Sequence, residues 1–205
     1  MIKNLIFDWS WTLSDDLTTI HTATMKVFEK LWLRILTLDE YKEEFTLPYM
    51  NFYHKFKKDA IREEVDILYI KEINSLDKPK PFKSTEIMLK SLNEKGLNMV
   101  ILSSHPQENL EKEIKSHWLE KFFMQINWSI HDKSEAIVEI MKKLDFNSEE
   151  TAYVWDMEHD IRAGKAAKVR TIAVTWGYQT RSRLSHEFPD YMIDDLRELE
   201  KLITL

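Results

Sequence analysis

Cysteine is absent from this 205-residue chain, which excludes disulfides, thiolate metal sites and a cysteine nucleophile. Glycine occurs only three times, against an ordinary share of ~7%. The residue that most tight turns and close backbone approaches rely on is therefore scarce. No apolar run approaches the ~20 residues that a membrane-spanning helix needs. Net charge is −6 and the lysines and arginines are dispersed, so there is no electrostatic footprint for nucleic acid. The densest basic run, Lys55-Phe56-Lys57-Lys58, reads as a solvated helix face. No secretory pattern precedes the first strand-like segment, so Asn127-Trp128-Ser129 reads as a chance match to a glycosylation sequon. The expectation is a cytoplasmic protein, monomer or homodimer, with neither nucleic acid nor membrane as partner.

What is present points to a globular α/β chain. Apolar residues make up 43% and charged residues 31% of the sequence, as in soluble domains. Residues 2–8 read as a buried strand. Leu17, Ile20, Ala23, Val27 and Leu31 give residues 16–31 a helical period. A helical, aromatic-rich stretch continues to about residue 76 and ends at the breaker Lys78-Pro79-Lys80-Pro81. Strand and helix then alternate: helix 85–95 stopping at Gly96, strand 98–103, helix 107–117, a short strand near 122–127, helix 133–144, strand 151–155, helix 158–167, strand 170–175 and a terminal helix from about 194. This pattern predicts a doubly wound parallel sheet with an inserted small all-helical domain. The expected boundaries are a core of residues 1–14 and 81–205 and an insertion of residues 15–80.

Three apolar runs end in residues with chemistry. Leu5-Ile6-Phe7 ends at Asp8, Met99-Val100-Ile101-Leu102 at Ser103-Ser104, and Ala152-Tyr153-Val154-Trp155 at Asp156, with Asp160 four residues on. A carboxylate at the tip of a buried strand is costly unless a metal or substrate uses it. Such tips form the active-site rim of a parallel sheet. Each also has a plainer reading. Asp8 suits a turn, Ser103 a strand end, Lys133 a first helical turn, and Asp156 with Asp160 a helix N-terminus. His105 fits a turn as well as a substrate contact.

Taken in order, Asp8-x-x-x-Thr12, Ser103, Lys133 and Asp156-x-x-x-Asp160 resemble the four motifs of the haloacid dehalogenase-like (HAD) hydrolase superfamily. The interval from Lys133 to Asp156 and the run Asp160-Ile161-Arg162-Ala163-Gly164-Lys165 resemble its phosphoglycolate-phosphatase-like branch. The resemblance implies a Rossmann-like core with a helical cap. It also implies Mg²⁺-dependent hydrolysis of small phosphorylated metabolites through an aspartyl-phosphate on Asp8. In that scheme Asp8, the main-chain carbonyl of Ser10, Asp156 and Asp160 serve the metal. Ser103, Ser104 and Lys133 hold the phosphoryl group, and Thr12 places the loop and the acid–base group. The cap's aromatic face, Tyr49 to Phe56, is where specificity would reside, although such rings also suit a cap core.

The chain departs from this pattern in two ways. The family's phosphatases carry a second Asp two residues after the nucleophile, where this chain has Ser10. A hydroxyl with no pKa near neutrality is a poor general acid. Phosphonoacetaldehyde hydrolases, similar at Asp8-Trp9-Ser10-Trp11-Thr12, are the alternative; they need a cap lysine, for which Lys26, Lys30, Lys42 and Lys55 are available. A catalytically impaired binding protein on the same fold is a further alternative.

The second departure is that Trp11 and Trp155 stand where the family has glycine. Trp32, Trp118 and Lys168 each follow a helix where a left-handed glycine is expected. Trp128 and Ser84 also occupy loop positions that suit glycine. These positions suggest that glycines of a parent chain have been exchanged, or that the sequence there differs from the protein's own. A natural chain with unusual loops is the other reading.

Overall fold

A computed structural model describes residues 1–130 and 132–203. His131 and the last two residues of the expected core segment lie outside that range. The chain forms two compact units, Met1–Asp15 with Lys80–Leu205, and Asp16–Pro79. It begins with β1 (Asn4–Phe7) and β2 (Ser14–Asp15). Four helices make the second unit: α1 (Leu17–Lys30), α2 (Leu38–Glu44), α3 (Tyr49–Phe56) and α4 (Arg62–Asn74). The first unit resumes with β3 (Lys80–Pro81), α5 (Thr85–Glu94), β4 (Asn98–Leu102), α6 (Gln107–Ser116), β5 (Gln125–Asn127) and α7 (Lys133–Leu144). It closes with β6 (Thr151–Trp155), α8 (Glu158–Ala166), β7 (Arg170–Val174), α9 (Arg181–Ser185), β8 (Tyr191–Ile193) and α10 (Leu199–Leu202).

Six strands form one parallel sheet in the order β5-β4-β1-β6-β7-β8. β2 and β3 pair separately as a short antiparallel ribbon. Alternation along each strand divides the core between the two faces. Leu5, Phe7, Met99, Ile101, Ala152 and Val154 join one cluster. Ile6, Val100, Leu102, Tyr153, Trp155 and Ala173 join the other. β1 is central and wholly buried, which explains its unbroken apolar run. The expected terminal helix is interrupted. β8, three residues long, is too short for its alternation to be read. After it a capping box between Asp195 and Glu198 opens a 3-10 turn, and only then comes α10.

Helix ends reveal where glycine is missed. α5 closes at Gly96, with φ of 78°, and Leu97 N–H reaches back to the Leu92 carbonyl at 3.1 Å. The same closure recurs without glycine. Leu33 N–H bonds Phe28 at 2.9 Å, Leu119 N–H bonds Ile114 at 3.2 Å, and Val169 N–H bonds Gly164 at 3.1 Å. The residues held left-handed there are Trp32 (φ 60°), Trp118 (φ 58°) and Lys168 (φ 59°). Trp11 shares the conformation at φ 62°. Each costs roughly 1–2 kcal/mol relative to glycine. Ser84 differs from expectation: its φ is −82°, so glycine would gain nothing there.

The helical unit is held by rings. Phe28 stacks on Phe52 at 5.4 Å between centroids, and Tyr41, Tyr53 and Phe56 surround the pair. Phe52 and Tyr53 are therefore core residues of that unit, and Tyr49 donates its hydroxyl to Asp66 at 2.5 Å.

Candidate active site

Two neighbouring strands of the sheet deliver the acidic groups. Phe7 pairs with Val154, so Asp8 and Asp156 leave β1 and β6 side by side. Asp8 N–H continues the ladder to the Val154 carbonyl at 3.0 Å. From β1 the chain crosses to β4 on one side, whereas β6 lies on the other. Such a reversal of strand order opens a crevice at the C-terminal ends of the strands. Asp160, in the first turn of α8, joins the same place. One carboxylate oxygen from each of Asp8, Asp156 and Asp160 lies within 4.8 Å of the others.

Lys133, the first residue of α7, enters this cluster. Its Nζ donates to Asp8 Oδ2 at 2.9 Å and lies 2.9 Å from Asp160 Oδ1. The Asp132 side chain caps α7 and so fixes where Lys133 starts. Tyr153 donates its hydroxyl to Asp160 Oδ1 at 3.1 Å. Asp8 Oδ1 accepts from Trp9 N–H, and Asp156 Oδ2 from Tyr178 N–H, at 2.8 and 2.7 Å.

Charge does not balance among these side chains. Three buried carboxylates face one ammonium. Burial, followed by the charge of Asp8, pushes the Asp156 carboxyl well above the usual carboxylate range. Burial would lower the Lys133 ammonium, but Asp160 and Asp8 outweigh it and hold Lys133 above its ordinary value. Asp160 Oδ2 is buried without a hydrogen bond, and the His159 ring nitrogen stands 3.4 Å away. Excess negative charge, hard oxygen donors and an oxygen left without a hydrogen bond fit a divalent cation of the Mg²⁺ type.

The sequence model of haloacid dehalogenase-like hydrolases matches residues 5–174. This chain belongs to that family. Among curated relatives, the pyrophosphatase PpaX of Bacillus mycoides is 25% identical over 214 residues, covering 99% of this chain and 97% of its own. The phosphoglycolate phosphatase of Aquifex aeolicus is 27% identical over 214 residues, covering 98% and 97%. Among solved structures, a haloacid dehalogenase-like hydrolase from Streptococcus pneumoniae superposes with a TM-score of 0.83 at 17% identity, covering 98% of each chain. That last likeness is one of fold.

The remaining motif residues of this HAD hydrolase lie at the same strand ends. Ser103 follows β4, is buried, and accepts from His105 N–H at 3.2 Å. Ser104 is exposed. Ser10 is half-buried in a bridge with Ser14, and the buried Thr12 hydroxyl has no hydrogen-bond partner. The Trp11 ring packs 6.2 Å from Phe82 and 5.6 Å from Tyr178. Trp155 packs 4.6 Å from Tyr153 within the core.

Sequence reasoning missed Tyr153, Tyr178 and Gly177. A Cβ at Gly177 would meet the Asp156 Cβ at 2.1 Å, so only glycine lets this loop approach closely enough for Tyr178 N–H to reach Asp156. The retention of glycine there, in so glycine-poor a chain, was the available signal.

Proposed function

We propose that this chain is a Mg²⁺-dependent phosphatase of small phosphorylated metabolites that works through an aspartyl-phosphate on Asp8. The observation that carries the reading is the buried group Asp8, Asp156, Asp160 and Lys133 at adjoining strand ends. The names of the curated relatives, pyrophosphatase and phosphoglycolate phosphatase, support the same class.

Asp8, Asp156 and Asp160, with the Ser10 carbonyl, would hold Mg²⁺. When bound, the ion offsets negative charge on the phosphoryl oxygens. Asp8 attacks phosphorus through a carboxylate oxygen, forming an acyl phosphate as the bond to the leaving-group oxygen breaks. Water then attacks that phosphorus, releasing phosphate and returning the Asp8 carboxylate, so one difficult step becomes two. Trp9 N–H and Lys133 fix the orientation of that carboxylate. Lys133 and Ser103, with Ser104 at the rim, hold phosphoryl oxygens where charge develops. Thr12 steadies the nucleophile loop. Residues 15–80 correspond in this reading to the family's helical cap domain.

Ser10 shapes the substrate range. An alkoxide leaving group needs a proton, and Ser10 is a poor donor. A phosphate leaving from an anhydride is already a stable anion. The chain therefore suits anhydrides better than simple esters. The C–P hydrolase alternative requires an available cap lysine. Lys26 and Lys30 both pair with Glu72, and Lys55 with Glu44, which weakens that reading.

The test is phosphate release from pyrophosphate, phosphoglycolate and a panel of esters and phosphonates, with and without Mg²⁺. The expected result is Mg²⁺-dependent turnover, fastest with the anhydride and lost in Asp8→Asn. Turnover that survives Asp8→Asn would remove Asp8 from its role. Absence of turnover across the panel would favour a binding protein. Borohydride trapping of a phosphonoacetaldehyde adduct on a lysine would favour the C–P hydrolase.

A further inference from the structure

Three of the seven tryptophans, Trp11, Trp32 and Trp118, hold a positive φ, against four of all other non-glycine described residues. Bulky side chains are genuine outliers in that region, where asparagine, aspartate and glycine are the ordinary occupants. Packing does not account for two of the three. Trp32 is 95% exposed and Trp118 73% exposed. Both occupy the position after a helix that Gly96 occupies after α5, with the same backward hydrogen bond from the next residue. The chain is thus poor in glycine and rich in tryptophan, and its tryptophans sit on backbone that asks for glycine.

One codon connects the two residues. UGA differs from the tryptophan codon UGG in its third base and from the glycine codon GGA in its first. It is a stop codon in the standard code. Variant codes that reassign it read it as tryptophan in some lineages and as glycine in others. We infer that codons 11, 32 and 118 of this gene are UGA, and that the ribosomes of the cell it belongs to insert glycine there. Random substitution does not explain why one bulky residue collects at left-handed positions, whereas a single misassigned codon does.

The consequence reaches the nucleophile loop. Trp11 is three residues from Asp8, and its ring lies against Tyr178, whose N–H bonds Asp156. Glycine at position 11 keeps the loop's φ of 62° without strain and removes an indole from beside that contact. Trp9, Trp128, Trp155 and Trp176 show no positive φ, so the backbone argument does not extend to them.

The inference is independent of the proposed activity, and its test does not need turnover. The gene is sequenced, and the protein isolated from its own cells is digested and its peptides weighed. UGA at codons 11, 32 and 118, with peptide masses that fit glycine, is the expected result. UGG at these codons, or peptide masses that fit tryptophan, would overturn it. The backbone argument is checked separately with Trp32→Gly and Trp118→Gly in the chain as given. Both should raise the thermal unfolding midpoint, and a midpoint that stays level or falls in both would count against the inference.

Discussion

At one end of the parallel sheet, three carboxylates and an ammonium are buried together, whereas in the helical unit Asp16–Pro79 the large buried groups are rings. The first arrangement depends on backbone register. Phe7 opposite Val154 sets where Asp8 and Asp156 stand, at the adjoining ends of β1 and β6. The second depends on bulk. Phe28, Tyr41, Phe52, Tyr53 and Phe56 fill a space that other rings could fill nearly as well. Polar clusters at strand ends therefore write chemistry into the chain, while the aromatic helical unit writes mainly stability.

Substitutions can break this contrast. The largest effect is expected for Asp8→Asn, which should lower turnover by at least ~10³-fold, as removal of a nucleophile does. Circular dichroism should show the fold intact. Lys133→Ala leaves three buried carboxylates without their ammonium and should cost about 3–5 kcal/mol in denaturant unfolding without divalent cation. Added Mg²⁺ should restore part of that loss. In the other unit, Phe52→Ala should cost about 3–5 kcal/mol through its cavity, yet leave the Mg²⁺-induced shift of the core unit unchanged. A cation response that depended on Phe52 would erase the distinction between the two regions.

A pH series sharpens the comparison further. The Asp156 carboxyl is raised by burial and by Asp8. Without a cation, its contribution to stability is full at acid pH and is lost as pH rises through that raised value. Cation binding needs the deprotonated form. Mg²⁺ should therefore raise the unfolding midpoint near neutral pH and lose this effect on acidification, beginning above the range of an ordinary carboxylate. The smallest expected effect is Trp32→Gly, a gain of about 1–2 kcal/mol from relief of left-handed backbone.

The sequence revealed most of the fold because the strands are apolar runs ended by polar residues. Helix α7 and strand β6 match their expected bounds, 133–144 and 151–155. β8 was hidden by its length and α9 by its five residues without a clear period. In the site, Asp8 and Asp156, with Asp160 four residues on, stood out because a carboxylate ending a buried strand demands a partner. Lys133, which opens helix α7, was singled out only by the family resemblance. Tyr153 was not, since a tyrosine inside an apolar strand reads as core until its hydroxyl is seen on Asp160. Gly177 and Tyr178 act through backbone approach to Asp156, which no side-chain pattern announces.

The most direct measurement is rapid quench of the enzyme during turnover of pyrophosphate with Mg²⁺, followed by borohydride reduction and peptide mass spectrometry. An attacking carboxylate at the tip of β1 predicts homoserine at position 8 and at no other aspartate. Turnover that leaves Asp8 unreduced, or that places the reduced residue elsewhere, would contradict the account.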